Sequence, residues 1–226
     1  MRAWLSWSSG KDATFALQAI RAVGDVEVTG LLTSVNASAD RVAMHAVRRE
    51  LLQAQARALG LPLHVVDLPS PCTNEVYEQR MAAAHEAAQD AQVEAMVFGD
   101  LCLGDVRAYR ERTLSGTGIE PIFPLWGRST TQLANDMVGS GLQAVITCVD
   151  PNQAPREIAG RWYDEQLLGD LPDGVDPCGE NGEFHTFVAD GPGFTHPVDV
   201  CVGDSVERDG FVFTDVLPAG PPGDPA

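Results

Sequence analysis

The sequence lacks the features that mark disulfide-rich, zinc-binding and membrane-spanning proteins. Its five cysteines lie far apart without a C-x-x-C pair, which is typical of reduced thiols and not of a zinc site or disulfide framework. No segment approaches the roughly 18 consecutive apolar residues of a membrane span. The N-terminus turns polar too early for a signal peptide. We therefore expect a soluble, cytoplasmic protein without a membrane partner.

Positive charge is scarce as well. Lys and Arg number 15 against 32 for Asp and Glu, which gives a net charge of −17. A field of that sign repels phosphate backbones and therefore disfavours a nucleic-acid partner. Hydrophobic residues make up 44% and charged residues 21% of the chain, which is the composition of a folded domain.

Short apolar runs alternate with segments of helical period, which predicts an α/β fold with a doubly wound parallel sheet. Strands are predicted over residues 3–7, 27–33, 63–68, 95–98 and 143–149. Helices are predicted over residues 12–23, 43–59, 74–89, 107–114 and 129–138.

The pattern changes after residue 150. A predicted helix over 156–168 is followed by short alternating segments at 183–188, 198–202 and 211–216, which indicate a small C-terminal α+β module. We expect a nucleotide-binding domain over residues 1–150, this module over 151–217 and a disordered tail over 218–226.

The loop between the first predicted strand and helix carries Ser8, Ser9, Gly10, Lys11 and Asp12. Free N–H groups and the helix dipole favour an anion there, and glycine lets the backbone approach a phosphate. The loop is not a Walker A motif, since positions 5 and 12 are Leu and Asp, and it lacks the glycines of a dinucleotide fingerprint. The alternative is an ordinary helix cap with a Ser-Gly turn.

The Ser-Ser-Gly-Lys-Asp segment resembles the pyrophosphate loop of the adenine nucleotide alpha hydrolase-like superfamily, the N-type ATP pyrophosphatases, with Ala13 in place of the usual final serine. Residues 44–48, 98–101, 121–127 and 176–188 are similar to successive blocks of the diphthine–ammonia ligase family, and the resemblance covers about residues 3–217. It implies a Rossmann-like, HUP-type fold. The segments at 44–47 and 179–186 resemble the variety found in bacteria, which do not make diphthamide, so the substrate stays open.

The resemblance also implies a set of site residues. The nucleotide would contact the loop residues and the strand ends, and Asp12 or Asp100 would hold Mg²⁺, which prefers one or two carboxylates with phosphate oxygens and water. The implied ATP-binding residues are Ser8, Ser9, Gly10, Lys11, Asp12, Leu32, Thr33, His45, Gly99, Asp100 and Arg107. Asp100 can equally lie in a strand-end turn, and His45 on a solvated helix face.

The amidation centre implied by the resemblance consists of Glu180, Asn181, Glu183 and His185. Carboxylates can hold ammonium and accept its proton, and histidine titrates near neutrality. The alternative is a hairpin turn, because Asn-Gly is a strong turn signal.

We expect an AMP-forming ligase that adenylates a carboxylate on a protein or small molecule and amidates it with ammonia. A homo-oligomer is compatible with the sequence. The alternatives are a tRNA-modifying ATP pyrophosphatase, which the charge and the lack of C-x-x-C disfavour, and a non-catalytic nucleotide-binding protein. The products of incubation with ATP discriminate among these classes.

Overall fold

The computed structural model describes residues 1–42 and 44–220. The first sheet consists of β1 (Arg2–Ser6), β2 (Glu27–Asn36), β3 (Arg41–Val42), β4 (Leu63–Leu68), β5 (Ala95–Val97) and β6 (Glu120–Ile122). Strands β4, β2, β1, β5 and β6 lie side by side in parallel, and β3 pairs antiparallel with the end of β2. The expected doubly wound, Rossmann-like sheet is confirmed.

Five helices belong to this part of the chain: α1 (Lys11–Val23), α2 (Arg49–Leu59), α3 (Asn74–Asp90), α4 (Gly104–Leu114) and α5 (Thr130–Gly139). Gly24 and Gly60 end α1 and α2 with φ angles of 83° and 66°, a left-handed conformation that glycine adopts without a steric penalty. Within the described residues, no helix is long and apolar enough to cross a membrane.

A second, antiparallel sheet follows. It contains β7 (Gln143–Val149), β8 (Phe184–Asp190), β9 (Val200–Arg208) and β10 (Phe211–Pro218) in the order β8-β7-β10-β9. A short 3-10 helix (Arg156–Ile158) and α6 (Glu165–Asp170) connect β7 to β8. The predicted C-terminal module is therefore present, with α6 as its helix.

The assignment of residues 143–149 to the parallel sheet was wrong. This strand pairs with β8 and β10, whereas β6 lies beside β5 in the first sheet. The residues of β7 after Gln143 are all buried, and such a continuous apolar run is typical of a parallel strand. The strand that actually occupies that place, β6, has three residues and contains a proline, which makes it hard to recognise from sequence. The division of the chain into domains at residue 150 stays a prediction.

Two predicted helices are shorter than expected. The second begins at Arg49 and not at 43, because Met44 and Ala46 have φ angles of 60° and 55°, which no α-helix contains. Ala43 lies outside the described residues. The predicted helix over 156–168 is interrupted at Gly160, where φ is 80°. Residues 221–226 of the predicted tail also lie outside the described part.

The two sheets share one hydrophobic core. The larger cluster of buried residues joins Leu5 and Val97 of the first sheet to Val145 and Phe187 of the second, with α1 and α2 packed against both. A smaller cluster on the other face of the first sheet contains Trp4, Met96 and Phe98 and is covered by α3. This shared core holds the loop after β1 against β8.

Candidate active site

The predicted nucleotide loop is clamped between the two sheets. Ser9 is fully buried and has a φ angle of 72°, unusual for a residue with a side chain. Its carbonyl oxygen accepts hydrogen bonds from Val188 N at 2.9 Å and from Gln55 Nε2 at 3.1 Å. The buried Ser9 hydroxyl has no hydrogen-bond partner within the described residues. A strained loop with an unused polar atom is typical of a binding site.

The sequence indicated that Lys11 faces a bound anion. In the structure its side chain points into the protein instead. Its side chain is only 2% exposed, and Nζ donates to the Asp12 carboxylate at 2.9 Å and to the carbonyl oxygen of Cys178. The rings of Tyr163 and Phe184 lie 5.8 and 5.5 Å from Nζ. Burial lowers the pKa of Lys11, but Asp12 and neighbouring groups outweigh it and the net shift is upward. The lysine therefore stays charged and joins α1 to the second sheet.

A cavity of about 130 Å³ lies at the carboxyl ends of β1 and β2. Its lining includes Ser8, Leu32, Thr33, Ser34, Tyr77 and Arg110. The Leu32 carbonyl accepts from Trp7 N and the Thr33 hydroxyl donates to Trp7 O, each at 2.8 Å. Leu32 and Thr33 therefore border the cavity and also fix the loop, in the place where ligands of doubly wound sheets bind.

Gly99 and Asp100 bring the end of β5 to the same place. A methyl group on Gly99 would lie 2.9 Å from the Asp12 carbonyl carbon, so only glycine permits this approach. Oδ2 of Asp100 lies 3.6 Å from Nε of Arg110, and both atoms are buried without a hydrogen-bond partner in the part of the chain that the structure describes. Burial raises the pKa of Asp100, while Arg110 opposes that shift.

Arg107 and Arg110 lie on the same helix but have different surroundings. The Arg107 guanidinium lies 4.8 Å from the ring centres of both Phe123 and Trp126, and its Nε donates to Glu111 at 2.8 Å. Arg110 is the arginine that lines the cavity. Their spacing of three residues puts both on one helix face, but the sequence does not show that aromatic rings after β6 contact one of them.

The Glu-Asn-Gly-Glu turn before β8 contacts the end of the parallel sheet through Glu180. Oε1 of Glu180 accepts from the backbone N–H groups of Leu101 and Cys102, each at 2.9 Å. Burial raises the pKa of Glu180, and these two N–H groups oppose the shift. The two predicted parts of the site, one from each sheet, are therefore adjacent.

Glu183 is directed into its own turn. Its carboxylate accepts from Asp176 N at 3.1 Å, from Asn181 N at 2.9 Å and from Asn181 Nδ2 at 2.9 Å. The side chain is buried, and all three contacts are of the kind that holds a turn together.

His45 and His185 face each other beside the loop, with ring centres 4.7 Å apart. Nδ1 of His45 donates to the Thr186 carbonyl at 2.9 Å, and a methyl group on Gly10 would lie 2.7 Å from His45 Cε1. Burial lowers the pKa of both rings, that of His185 to about 3. Both imidazoles are therefore neutral near pH 7, and each can accept a hydrogen bond at a ring nitrogen.

The structure adds two residues that sequence analysis missed. Gln55 is fully buried and bonds to Trp7, Ser9 and Val188. Thr186 is also buried, and its Oγ1 accepts from Lys11 N at 3.1 Å. A signal for Gln55 existed, because it lies three and four residues from Leu52, Leu51 and Leu59 and so on the apolar face of α2.

No group of three or more His, Cys, Asp or Glu residues within 1–42 and 44–220 is arranged to hold a metal ion. Asp12 lies in the loop itself, and its negative charge contributes to the raised pKa of Asp100.

Comparison with known proteins places this geometry in a family. A profile described as "Diphthamide synthase N-terminal domain" matches residues 1–121, and one described as "Diphthamide synthase C-terminal domain" matches residues 129–214. The chain belongs to the diphthamide synthase family. The loop after β1 lies within the first matched range, and the turn that carries Glu180 lies within the second.

Curated relatives in the diphthamide synthase family agree with this assignment. The diphthine–ammonia ligase of Danio rerio is 24% identical over 229 residues, spanning 92% of this chain and 90% of that protein. Those of Bos taurus and Homo sapiens are 25% and 24% identical over 230 residues, spanning 92% of this chain and 86% of each relative. The resemblance predicted from the loop and the later blocks is confirmed at the level of the family.

Proposed function

We propose that this protein is an ATP-dependent, AMP-forming ligase that joins ammonia to a substrate carboxylate, as the name diphthine–ammonia ligase describes for its relatives. The contact of Glu180 with Leu101 N and Cys102 N carries the proposal. It holds a turn rich in carboxylate and amide groups against the strand ends at which a nucleotide would bind. Both halves of an adenylation and amidation reaction thus have adjacent sites.

In this proposal the adenine of ATP enters the cavity at the ends of β1 and β2, beside Leu32 and Thr33. The phosphates meet the loop at Ser8, Ser9 and Gly10, where α1 begins. Arg110 takes the role that the sequence had given to Arg107, because its guanidinium borders the cavity. The amine of Lys11 holds the Asp12 carboxylate in place by an ion pair.

The carboxylates at this edge fit Mg²⁺. Asp100 Oδ2 lies 3.6 Å from Arg110 but has no hydrogen-bond partner within the described residues, and Asp12 is 30% exposed, so each can supply an oxygen ligand alongside phosphate oxygens and water. Bound magnesium would supply neutralisation of phosphate charge.

The proposed reaction has two steps. A carboxylate oxygen of the substrate attacks the α-phosphorus of ATP, and the bond from that phosphorus to pyrophosphate breaks. Ammonia then attacks the acyl carbon, the bond to AMP breaks, and the nitrogen loses a proton. In this scheme the carboxylate of Glu180, whose pKa burial raises, accepts that proton, and the neutral imidazole of His185 is available as a hydrogen-bond acceptor.

Glu183 has a positioning role in this scheme. Its carboxylate is occupied by three donors of the turn, so it orients Asn181 and Glu180 rather than receiving a proton.

The decisive experiment is incubation of the full chain with ATP, ammonium and candidate carboxylates, both protein-linked and free. The proposal predicts AMP and pyrophosphate, with carboxylate-dependent exchange of labelled pyrophosphate into ATP before ammonia is added. Formation of ADP would contradict it, and so would AMP formation that requires tRNA. Glu180→Gln is the matched variant, with exchange retained and amide formation lost, because general acid–base groups contribute about 10²–10⁴ in rate.

A further inference from the structure

Gln55 connects three elements through one side chain. Its Oε1 accepts from Trp7 Nε1 at 3.0 Å, and its Nε2 donates to Ser9 O at 3.1 Å and Val188 O at 2.6 Å. Because Trp7 Nε1 can only donate and the two carbonyls can only accept, the positions of Oε1 and Nε2 in the Gln55 amide are determined. The side chain is fully buried and joins α2 to the loop after β1 and to β8.

The bond to Ser9 bears on the orientation of the loop. Ser9 has a left-handed φ of 72°, and its carbonyl points into the core toward Gln55 and Val188. Within one peptide unit the N–H points opposite to the carbonyl, so the N–H of Gly10 points away from the core, where it lies 3.4 Å from Ser8 Oγ. Outward N–H groups in such a loop form an anion-binding concavity.

We propose that Gln55 is a positioning residue that keeps the Ser9–Gly10 peptide in its anion-binding orientation. This inference rests on the proposed function, because the anion is taken to be a phosphate of ATP. If the peptide turned over, by rotation about ψ of Ser9 and φ of Gly10, its carbonyl dipole would face the phosphate. Only a side chain with both a donor and an acceptor meets Trp7, Ser9 and Val188 together, which explains a glutamine on an apolar helix face.

The test measures ATP affinity by calorimetry for the wild-type chain and for Gln55→Glu. The introduced carboxylate keeps the size and the acceptor for Trp7 but cannot donate to Ser9 or Val188. We expect ATP binding at least about tenfold weaker, since buried groups left without partners cost on that order. The apparent KM for ATP should rise by more than kcat falls.

A pH series separates positioning from general structural support. As the pH falls, the introduced carboxyl group takes up a proton and becomes a donor again, so the deficit in ATP affinity relative to wild type should shrink. Gln53→Glu, at an exposed position of the same helix, is the control for charge, and Leu59→Ala, in the core, is the control for lost stability. Both controls should bind ATP as the wild type does.

The outcomes are distinguishable. If Gln55→Glu binds ATP like the wild type, or if Leu59→Ala weakens binding equally, the inference is overturned and the proposed function stands. If the wild-type chain itself fails to bind ATP, the proposed function falls and the inference with it. Should Gln55→Glu not fold, Gln55→Met keeps the size of the side chain without its donor and acceptor, and it must weaken ATP binding several-fold in a folded chain for the inference to survive.

Discussion

The side-chain amine of Lys11 donates to the carbonyl oxygen of Cys178, which joins the first helix of the parallel sheet to the loop that precedes β8. The same amine holds Asp12 at 2.9 Å. A lysine in a nucleotide loop is commonly taken as a phosphate ligand, but here it is buried between the sheets. Its position couples the geometry of the loop to the packing of the C-terminal module.

Lys11→Met should therefore destabilise the fold. The substitution leaves the Cys178 carbonyl without its donor and Asp12 without its partner, and we expect a loss of about 1–3 kcal/mol in the free energy of unfolding. Urea denaturation measures it. Arg57→Met, at an exposed position of α2, should change stability by less than about 0.5 kcal/mol. An unchanged midpoint for Lys11→Met would contradict the buried role.

Arg110 and Arg107 should differ in their effect on ATP binding. Arg110→Gln removes the cation that borders the cavity and should weaken ATP binding by about tenfold, because charge-assisted hydrogen bonds to phosphate are strong. Arg107→Gln breaks contacts with Phe123, Trp126 and Glu111 and should leave ATP affinity nearly unchanged. Calorimetric titration measures the ATP affinity of both variants. A larger loss of affinity in Arg107→Gln than in Arg110→Gln would support the assignment of Arg107 as the ATP-binding arginine.

Stability should fall in mild acid in a way that depends on His185. Burial lowers the pKa of His185 to about 3, below the ordinary value of about 6.5, so the unfolded chain takes up the proton first. The free energy of unfolding therefore falls as pH drops below about 6.5. His185→Gln should reduce that slope by up to about 1.4 kcal/mol per pH unit.

Urea unfolding between about pH 7 and pH 5 measures the slope for both chains. His196→Gln, at an exposed position, is the control and should keep the wild-type slope. Identical slopes for the wild type and His185→Gln would show that this ring is not held neutral by its surroundings.

Asp215 should control the order of the segment that carries His45. Asp215 accepts from Arg41 Nη1 at 2.8 Å and from Arg48 Nη2 at 2.6 Å, so β10 holds both ends of that segment. In Asp215→Ala we expect faster trypsin cleavage after Arg41 and Arg48 and a lower rate of amide formation. Asp204→Ala, which removes another carboxylate from the groove that Arg41, Arg48 and Asp215 line, is the control. Equal cleavage of the Asp215 variant and the wild type would refute the restraint.

Periodicity and turn residues were sufficient to predict most of the parallel sheet and the loop after β1. They failed where the deciding contact is distant in sequence. Strand β7 is buried along its interior, and a buried apolar run does not reveal its neighbours. The turn around His45 depends on left-handed Met44 and Ala46, residue types that carry no such preference.

The candidate site shows the same division. Residue types in the Glu-Asn-Gly-Glu block predicted a functional turn, but not that Glu183 would face inward while Glu180 reaches Leu101 and Cys102. Spacing puts Arg107 and Arg110 on one helix face, yet tertiary packing sets one against Phe123 and Trp126 and the other at the cavity. Side-chain direction within a motif is decided by tertiary contacts.

Lys11 is the single lysine of the whole chain, and every other side-chain cation is an arginine. Because that lysine is buried, the folded protein offers amine-reactive reagents no accessible side chain. Enzymes that acylate or tag lysine would likewise find no target until the two sheets separate. The rate at which Lys11 is acylated, measured by mass spectrometry, therefore reports how often the protein opens at its candidate site.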